Sequence, residues 1–516
     1  MFKQNFDKII LVFLLGIYIF LQSNFFLNEP QIWPDEAYLA DVAINILNEG
    51  RVGTDIWGDT IVGIKNSFYW YPPVYINTLA LWFKIFGFSI LNQRLLSLSL
   101  SLIFLVILYF FFQNFLKDLE SKKRKLISLG LILFLIFDNT FLKIAKMGRT
   151  EMMVVTLGFL SLFICQIAQD TRSKRMLILV GLLLGLTAMI HLLGLFFFIT
   201  ALITVALNQK KIFVNKEFYQ FLVAFFIPII IWLISIFPNY LILIAQLSFQ
   251  GEFRNLVPSY IESVFRYLPI EQKIIYVIYI LLSLISFVSF IFRENTSQLA
   301  AGVNTKIKLV PLGYPAACSG EGFIKRRGEY SFLPLGLLIS WLICFFGKLE
   351  WYVIYVVCFM YPLVFLQLFK KRFLLSPIML ILLVALFVFN IKTRFSQYLI
   401  YTDKKDAYFQ FGELVKSKIS DGKIVYLSTT PDLYFIFKGR NPIYELPLLR
   451  TKVEEYKSLL NKTEYMIINL RLDRLFVGNL LDRYIVLNKM NEYEVGNSLY
   501  RAKIIELVPA DMRRLP

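Results

Sequence analysis

The chain has 516 residues, of which 57% are hydrophobic and 17% aromatic, with a mean hydropathy of +0.62. Repeated apolar runs long enough to cross hydrocarbon exclude a soluble enzyme and indicate a polytopic membrane protein. The formal net charge of +18 does not point to nucleic acid, because the basic residues cluster between apolar runs, where the positive-inside rule places cytoplasmic loops.

Lys3 and Lys8 precede the first apolar run, Ile9 to Leu27. The run lacks a small-residue cleavage site and reads as a retained anchor, with the N-terminus in the cytoplasm. The stretch Gln31-Ile32-Trp33-Pro34-Asp35-Glu36-Ala37-Tyr38 follows on the far side. Residues 28–89 read as an outer loop whose polar and aromatic mixture suits a chain lying along the interface. Within it, Pro73 to Gly87 is too short to span and reads as a re-entrant or interfacial helix. Ile90 to Phe115 returns inward, to Lys117 and the cluster Lys122-Lys123-Arg124-Lys125.

Leu126 to Ala145 crosses outward and Met152 to Ala168 back, so the turn Lys146-Met147-Gly148-Arg149-Thr150-Glu151 lies on the side of Asp35. Met176 to Leu207 is too long for one untilted span and reads as a helical hairpin, with His191 near its midpoint at the outer face. Phe218 to Phe237 crosses outward, Pro238 to Gln272 forms a second outer segment, and Lys273 to Phe292 returns. Residues 293–330 are rich in small and polar types and read as a poorly ordered cytoplasmic loop or insertion. Ser331 to Gly347, a turn at Lys348 to Tyr352, a return to Phe369 and a last crossing from Leu374 to Asn390 bring the count to about 11 spans, within 10–13, and put the C-terminus outside. Residues 1–391 thus read as a helical membrane domain in the plasma (inner) membrane. From residue 392 the hydropathy falls. Strands at Lys423 to Ser428, Tyr465 to Leu470, Tyr484 to Leu487 and Leu499 to Ile505, with a helix at Thr451 to Leu460, predict a small extracytoplasmic α/β domain over 392–516. Cys165, Cys318, Cys344 and Cys358 have no metal-ligand spacing, and at least three lie inside apolar runs.

Four predicted turns converge on the outer face, with acids in the first and cations in later ones. Asp35 and Glu36 suit a helix N-terminus, whose dipole favours acids, and equally a general base that takes a proton from a hydroxyl or amine. Arg149 and Glu151 read either as an interfacial charge pair or as a second acidic site beside a phosphate-binding guanidinium or Lys146 ammonium. His191 suits hydrogen-bonded packing or ligand support. Lys348 reads as a flanking anchor or a phosphate contact. A transporter or flippase of a lipid-linked glycan also needs many spans, but it concentrates ionisable groups near mid-membrane and often carries inverted repeats. Here the charges lie at span ends, and no repeat is evident. A non-catalytic subunit of glycan assembly is the third reading.

The order of features resembles the GT-C class of membrane glycosyltransferases, in particular the protein O-mannosyltransferases and lipid A aminoarabinose transferases. The resemblance covers about residues 1–390. It rests on Pro34-Asp35-Glu36 with Tyr38, Tyr71-Pro72-Pro73 with Gly87 and Arg94, Gly148-Arg149-Thr150-Glu151, His191-Leu192-Leu193-Gly194, and Gly347-Lys348-Leu349-Glu350-Trp351-Tyr352 with Pro362-Leu363. It implies a polyprenyl-phosphate sugar donor, a lipid, glycan or protein acceptor, and inversion at the anomeric carbon. Carried over, Asp35 is the catalytic base, Glu36 and Glu151 support acceptor or metal binding, and Arg149 and Lys348 meet the donor phosphate; the residues themselves add Glu36 to Asp35 as a catalytic carboxylate, Lys146 to the phosphate contacts, and His191 and Tyr38 to the support of an acceptor or a metal. A divalent cation is optional, since a phosphate leaving group carries its own stabilising charge.

Overall fold

The computed structural model describes residues 6–23, 26–57, 61–208, 216–256, 270–306, 332–347, 350–370, 376–404, 406–428, 431–445, 461–469, 485, 487–497 and 499–512. Lys348 and the helix expected at 451–460 lie outside them.

The first apolar run is helix α1 (Phe6–Ser23). The outer segment after it holds helix α2 (Pro34–Glu49), which begins at the acidic motif, and the short apolar stretch is α3 (Pro73–Phe86). Helix α4 (Ile90–Phe115) starts where Ser89 Oγ accepts the Asn92 amide at 3.1 Å. At 1.5 Å per residue it is about 39 Å long, enough to cross a bilayer.

The run expected as one span from Leu126 to Ala145 is two helices, α5 (Ser121–Ile136) and α6 (Asn139–Ala145), bent by 72°. Asp138 sits at the bend. One carboxylate oxygen caps α6 by accepting the Phe141 amide at 2.9 Å, and the other accepts the hydroxyls of Tyr279 and Tyr361. Helix α7 (Glu151–Thr171) returns alongside α4. The next apolar stretch is α8 (Lys174–Ala188) and α9 (Leu195–Asn208), broken at His191.

Helices α10 (Lys216–Ile236), α11 (Tyr240–Leu256), α12 (Ile270–Lys306), α13 (Phe332–Gly347), α14 (Val353–Lys370) and α15 (Ser376–Tyr401) follow. Helix α12 runs on through 293–306, the first part of the stretch read as a loop or insertion, and residues 307–331 lie outside the described residues. Glu294, Gln298, Leu299, Ala300 and Ala301 are good helix formers despite the drop in hydropathy. Among the described residues six helices are long and apolar enough to cross a membrane, or seven if the bent pair is one span; apolar helices at Leu192–Ala206, Phe332–Cys344 and Val353–Phe369 are shorter. The chain is a multi-pass membrane protein.

Polar contacts tie the ends of these helices. At one end Lys125 Nζ meets Asp7 Oδ1 at 2.8 Å and Lys117 Nζ meets Asp170 Oδ1 at 2.9 Å. The opposite end, where α4 and α7 begin, carries Arg94 and Glu151.

The C-terminal part holds α16 (Ala407–Lys416), α17 (Pro431–Phe437) and five strands: β1 (Val425–Ser428), β2 (Ile443–Glu445), β3 (Tyr465–Asn469), β4 (Lys489–Gly496) and β5 (Arg501–Leu507). The sheet order is β2-β1-β3-β5-β4, with β1 parallel to β2 and β3, and β5 antiparallel to β3 and β4. The strand expected at 484–487 forms instead at β4, a mostly exposed edge whose sequence KMNEYEVG shows little apolar alternation. Residues 484 and 486 lie outside the described residues.

Candidate active site

The acidic motif opens α2. Pro34 occupies the first helical turn, where its missing N–H costs nothing, and Glu36 reaches back to accept the Trp33 amide at 2.9 Å. The helix ends at Gly50, in the left-handed region at φ 67°.

Glu36 is fully buried. Arg94 grips it bidentately, Nε to Oε1 and Nη2 to Oε2, both at 2.9 Å, and the Gly148 amide donates to Oε1 at 2.7 Å. The remaining Arg94 nitrogen donates to the carbonyls of Phe26 (2.7 Å) and Pro30 (2.9 Å). Gln93 Nε2 donates to the carbonyls of Glu36 (2.9 Å) and Gly148 (2.7 Å). One buried ion pair thus joins the chain after α1, the start of α2, the start of α4 and the turn before α7.

Asp35 points elsewhere. Its side chain keeps 22% of its exposure, and Arg149 Nη1 donates to its Oδ2. Arg149 also donates to Glu151, from Nη2 at 2.8 Å and from Nε at 3.2 Å. Among the described residues these bonds use one hydrogen on each terminal nitrogen of Arg149 and leave the other. The guanidinium carbon lies 5.1 Å from the centre of the Trp351 ring, which meets the Trp33 ring at 4.7 Å. Nearby, the Tyr71 ring lies 5.6 Å from His191, which lies 6.3 Å from Tyr352.

Burial lifts the Asp35 carboxyl above its ordinary range, and the Glu151 and Glu36 charges add to that, against the pull of Arg149. Burial works against the Arg149 charge, but Asp35 and Glu151 hold its pKa well above the usual value, so it stays a cation. Burial, followed by the Asp35 charge, pushes the Tyr71 phenol well up, so it remains a proton donor. The arrangement is a partly open carboxylate of raised basicity beside a fixed cation, able to take a proton from a hydroxyl or amine and to hold an anion close to it.

No protein-family model matches the sequence, and no curated protein matches it. Among solved structures, the Archaeoglobus fulgidus oligosaccharyltransferase in its apo form superposes with a TM-score of 0.50 at 12% identity, over 92% of this chain and 70% of that one. The same enzyme in complex with zinc and sulfate gives 0.50 at 11% identity, over 95% and 72%. ArnT from Cupriavidus metallidurans bound to undecaprenyl phosphate gives 0.47 at 11% identity, over 97% and 98%. The fold of this chain is thus similar to that of the Archaeoglobus fulgidus oligosaccharyltransferase.

In this fold the residues singled out by sequence separate into groups. Asp35, Arg149 and Glu151 come together, with His191 at the edge, where its Nδ1 accepts the Leu193 amide at 3.1 Å. Glu36, expected beside Asp35 as a catalytic carboxylate, is fully buried with its oxygens occupied by Arg94, Gly148 and Trp33. Lys146, expected at a phosphate, is fully buried; burial, then Arg394, pushes its pKa well down, with Glu29 and Arg94 its other charged neighbours. Tyr38, expected to support an acceptor or metal, is buried against the Trp57 ring at 4.2 Å.

A divalent cation fits these residues poorly. Glu36 and Glu151 are each held by an arginine, and among the described residues no group of three or more His, Cys, Asp or Glu could hold a metal. Sequence reasoning gave no role to Arg94 or Gln93 and none to Trp351. Arg94 figured only among the residues that carry the resemblance; its place near the start of a long apolar run was a further signal, since such a charge needs a partner.

Proposed function

We propose that this protein is a membrane glycosyltransferase that moves a sugar from a polyprenyl-phosphate donor to an acceptor at the outer face, with inversion. The acceptor O–H or N–H gives its proton to Asp35 as its oxygen or nitrogen bonds to the anomeric carbon. The bond from that carbon to the phosphate oxygen breaks, and polyprenyl phosphate leaves with the electron pair. Arg149, with a hydrogen left on each terminal nitrogen, neutralises the leaving phosphate. Glu36 holds α2 in place, and Glu151 orients Arg149. The likeness of fold to an oligosaccharyltransferase supports the class of reaction.

The observation that carries this reading is the split between two adjacent carboxylates: Glu36 is sealed and saturated, whereas Asp35 keeps an open face beside a cation. The test is transfer by the purified protein in lipid, supplied with polyprenyl-phosphate sugars and hydroxyl acceptors, and scored as sugar leaving the lipid. Asp35→Asn should lose about 10²–10⁴-fold, the usual worth of a general base. The wild-type rate should fall with acid, because protonated Asp35 is no base, and its acidic limb should lie above the ordinary aspartate range. Full transfer by Asp35→Asn would remove Asp35 from the mechanism.

A further inference from the structure

The C-terminal part touches the chain both ahead of the acidic motif and behind it. Ahead of the motif, Gln31 Nε2 donates to the Leu499 carbonyl at 2.8 Å, Asn28 Nδ2 to the Lys404 carbonyl at 2.7 Å, and Tyr500 Oη to the Leu27 carbonyl at 3.2 Å. Behind it, two turns along α2, Asp41 is fully buried. Its Oδ1 accepts the Tyr434 hydroxyl and Lys438 Nζ, both at 2.6 Å. Its Oδ2 accepts Thr54 Oγ1 at 2.7 Å and the Asp55 amide at 2.6 Å. Lys438 reaches on to Asn45 Oδ1 at 3.2 Å and Asp55 Oδ2 at 3.4 Å. Phe88, one residue before the α4 cap, stacks on Phe435 at 5.6 Å and meets Tyr434 edge-on at 6.2 Å.

Asp41 is a costly group to bury, and no bond among these serves Asp35 directly. Together they hold α2, and Phe88 just ahead of α4, against the same C-terminal helix. The side chain of Asp35 reaches its position only through α2, and displacements near 1 Å are enough to cost a reaction about 10²-fold.

We propose that the C-terminal unit is a positioning element of the catalytic centre, and that Asp41, Tyr434 and Lys438 form the latch through which it sets the placement of Asp35. The inference rests on the proposed transferase reading for its effect on rate, and on geometry alone for its effect on α2.

The test uses the full chain in lipid, with hydrogen exchange of residues 34–49 read beside transfer kinetics. In the double variant Tyr434→Phe with Lys438→Met, exchange over 34–49 should rise about 10-fold or more as local opening becomes easier. The turnover number should fall about 10-fold or more while the KM for the lipid donor moves less than about 3-fold. Lys438→Arg should keep both near wild type, and Asp41→Asn should follow the double variant. Lys423→Met, which removes the ion pair to Glu464 elsewhere in the same unit, should change neither readout.

Unchanged exchange over 34–49 in the double variant overturns the latch, as does faster exchange with unaltered turnover. A wild-type protein that moves no sugar overturns the transferase reading alone, because exchange still decides whether the latch holds α2.

Discussion

Asp35 and Glu36 leave the first turn of α2 into different surroundings. Glu36 meets three donors and no solvent; Asp35 meets one guanidinium and an open side. The Glu36–Arg94 pair is wholly buried, so its net worth against an apolar pair is small, yet removing one partner leaves the other charge stranded. Glu36→Gln keeps the shape and abandons Arg94 inside the protein. It should cost about 3–5 kcal/mol, read as a lower thermal unfolding temperature of the solubilised protein. At this scale the sequence disclosed that an acidic pair stands outside a span. It did not disclose which member is sealed, because the partner of Glu36 lies 58 positions away in a different helix.

Between elements, backbone contact matters as much as side-chain fit. Gly181 and Gly185, four apart on one face of α8, lie against α10 so closely that an added Cβ would stand 2.3 Å from the Phe221 carbonyl oxygen and 2.3 Å from that of Phe225. Backbone carbonyls of a helix cannot step aside, and in lipid such small-residue contacts are what draw helices together. Gly185→Val should therefore separate the two helices and lower stability by about 1–3 kcal/mol, again as a drop in unfolding temperature. Gly16→Ala on α1, where nothing lies within 4 Å, should leave it unchanged. Most long helices were legible from apolar run length alone. The 72° bend at Asp138 was not, since its cause is a carboxylate that caps α6 and collects hydroxyls from two distant helices. The edge strand β4 was also hidden, because an exposed strand has little reason to alternate.

Across the whole molecule, α4 and α7 carry the candidate site at one end and the Lys117–Asp170 pair at the other, about one bilayer thickness apart. The basic residues Lys122, Lys123 and Arg124 follow α4 at that second end, so the positive-inside rule predicts that it faces the cytoplasm. In a cysteine-free background, Glu49→Cys should react with a membrane-impermeant thiol reagent in intact cells, and Lys123→Cys only after permeabilisation. The reverse pattern would turn the molecule over and place the site inside.

What the sequence supplied by itself is the part governed by local chemistry: which runs are apolar enough for hydrocarbon, where the basic clusters fall between them, and that Asp35-Glu36, Arg149-Glu151 and His191 lie at turns between or within those runs. Only the tertiary structure decided how those groups divide the work. It sealed Glu36 with Arg94, buried Lys146 and Tyr38, left Asp35 open against Arg149, and placed the C-terminal unit against the chain both ahead of the acidic motif and behind it. The reason is physical: burial and pairing of a charge depend on which distant segments arrive beside it, and hydropathy along the chain carries no record of those encounters.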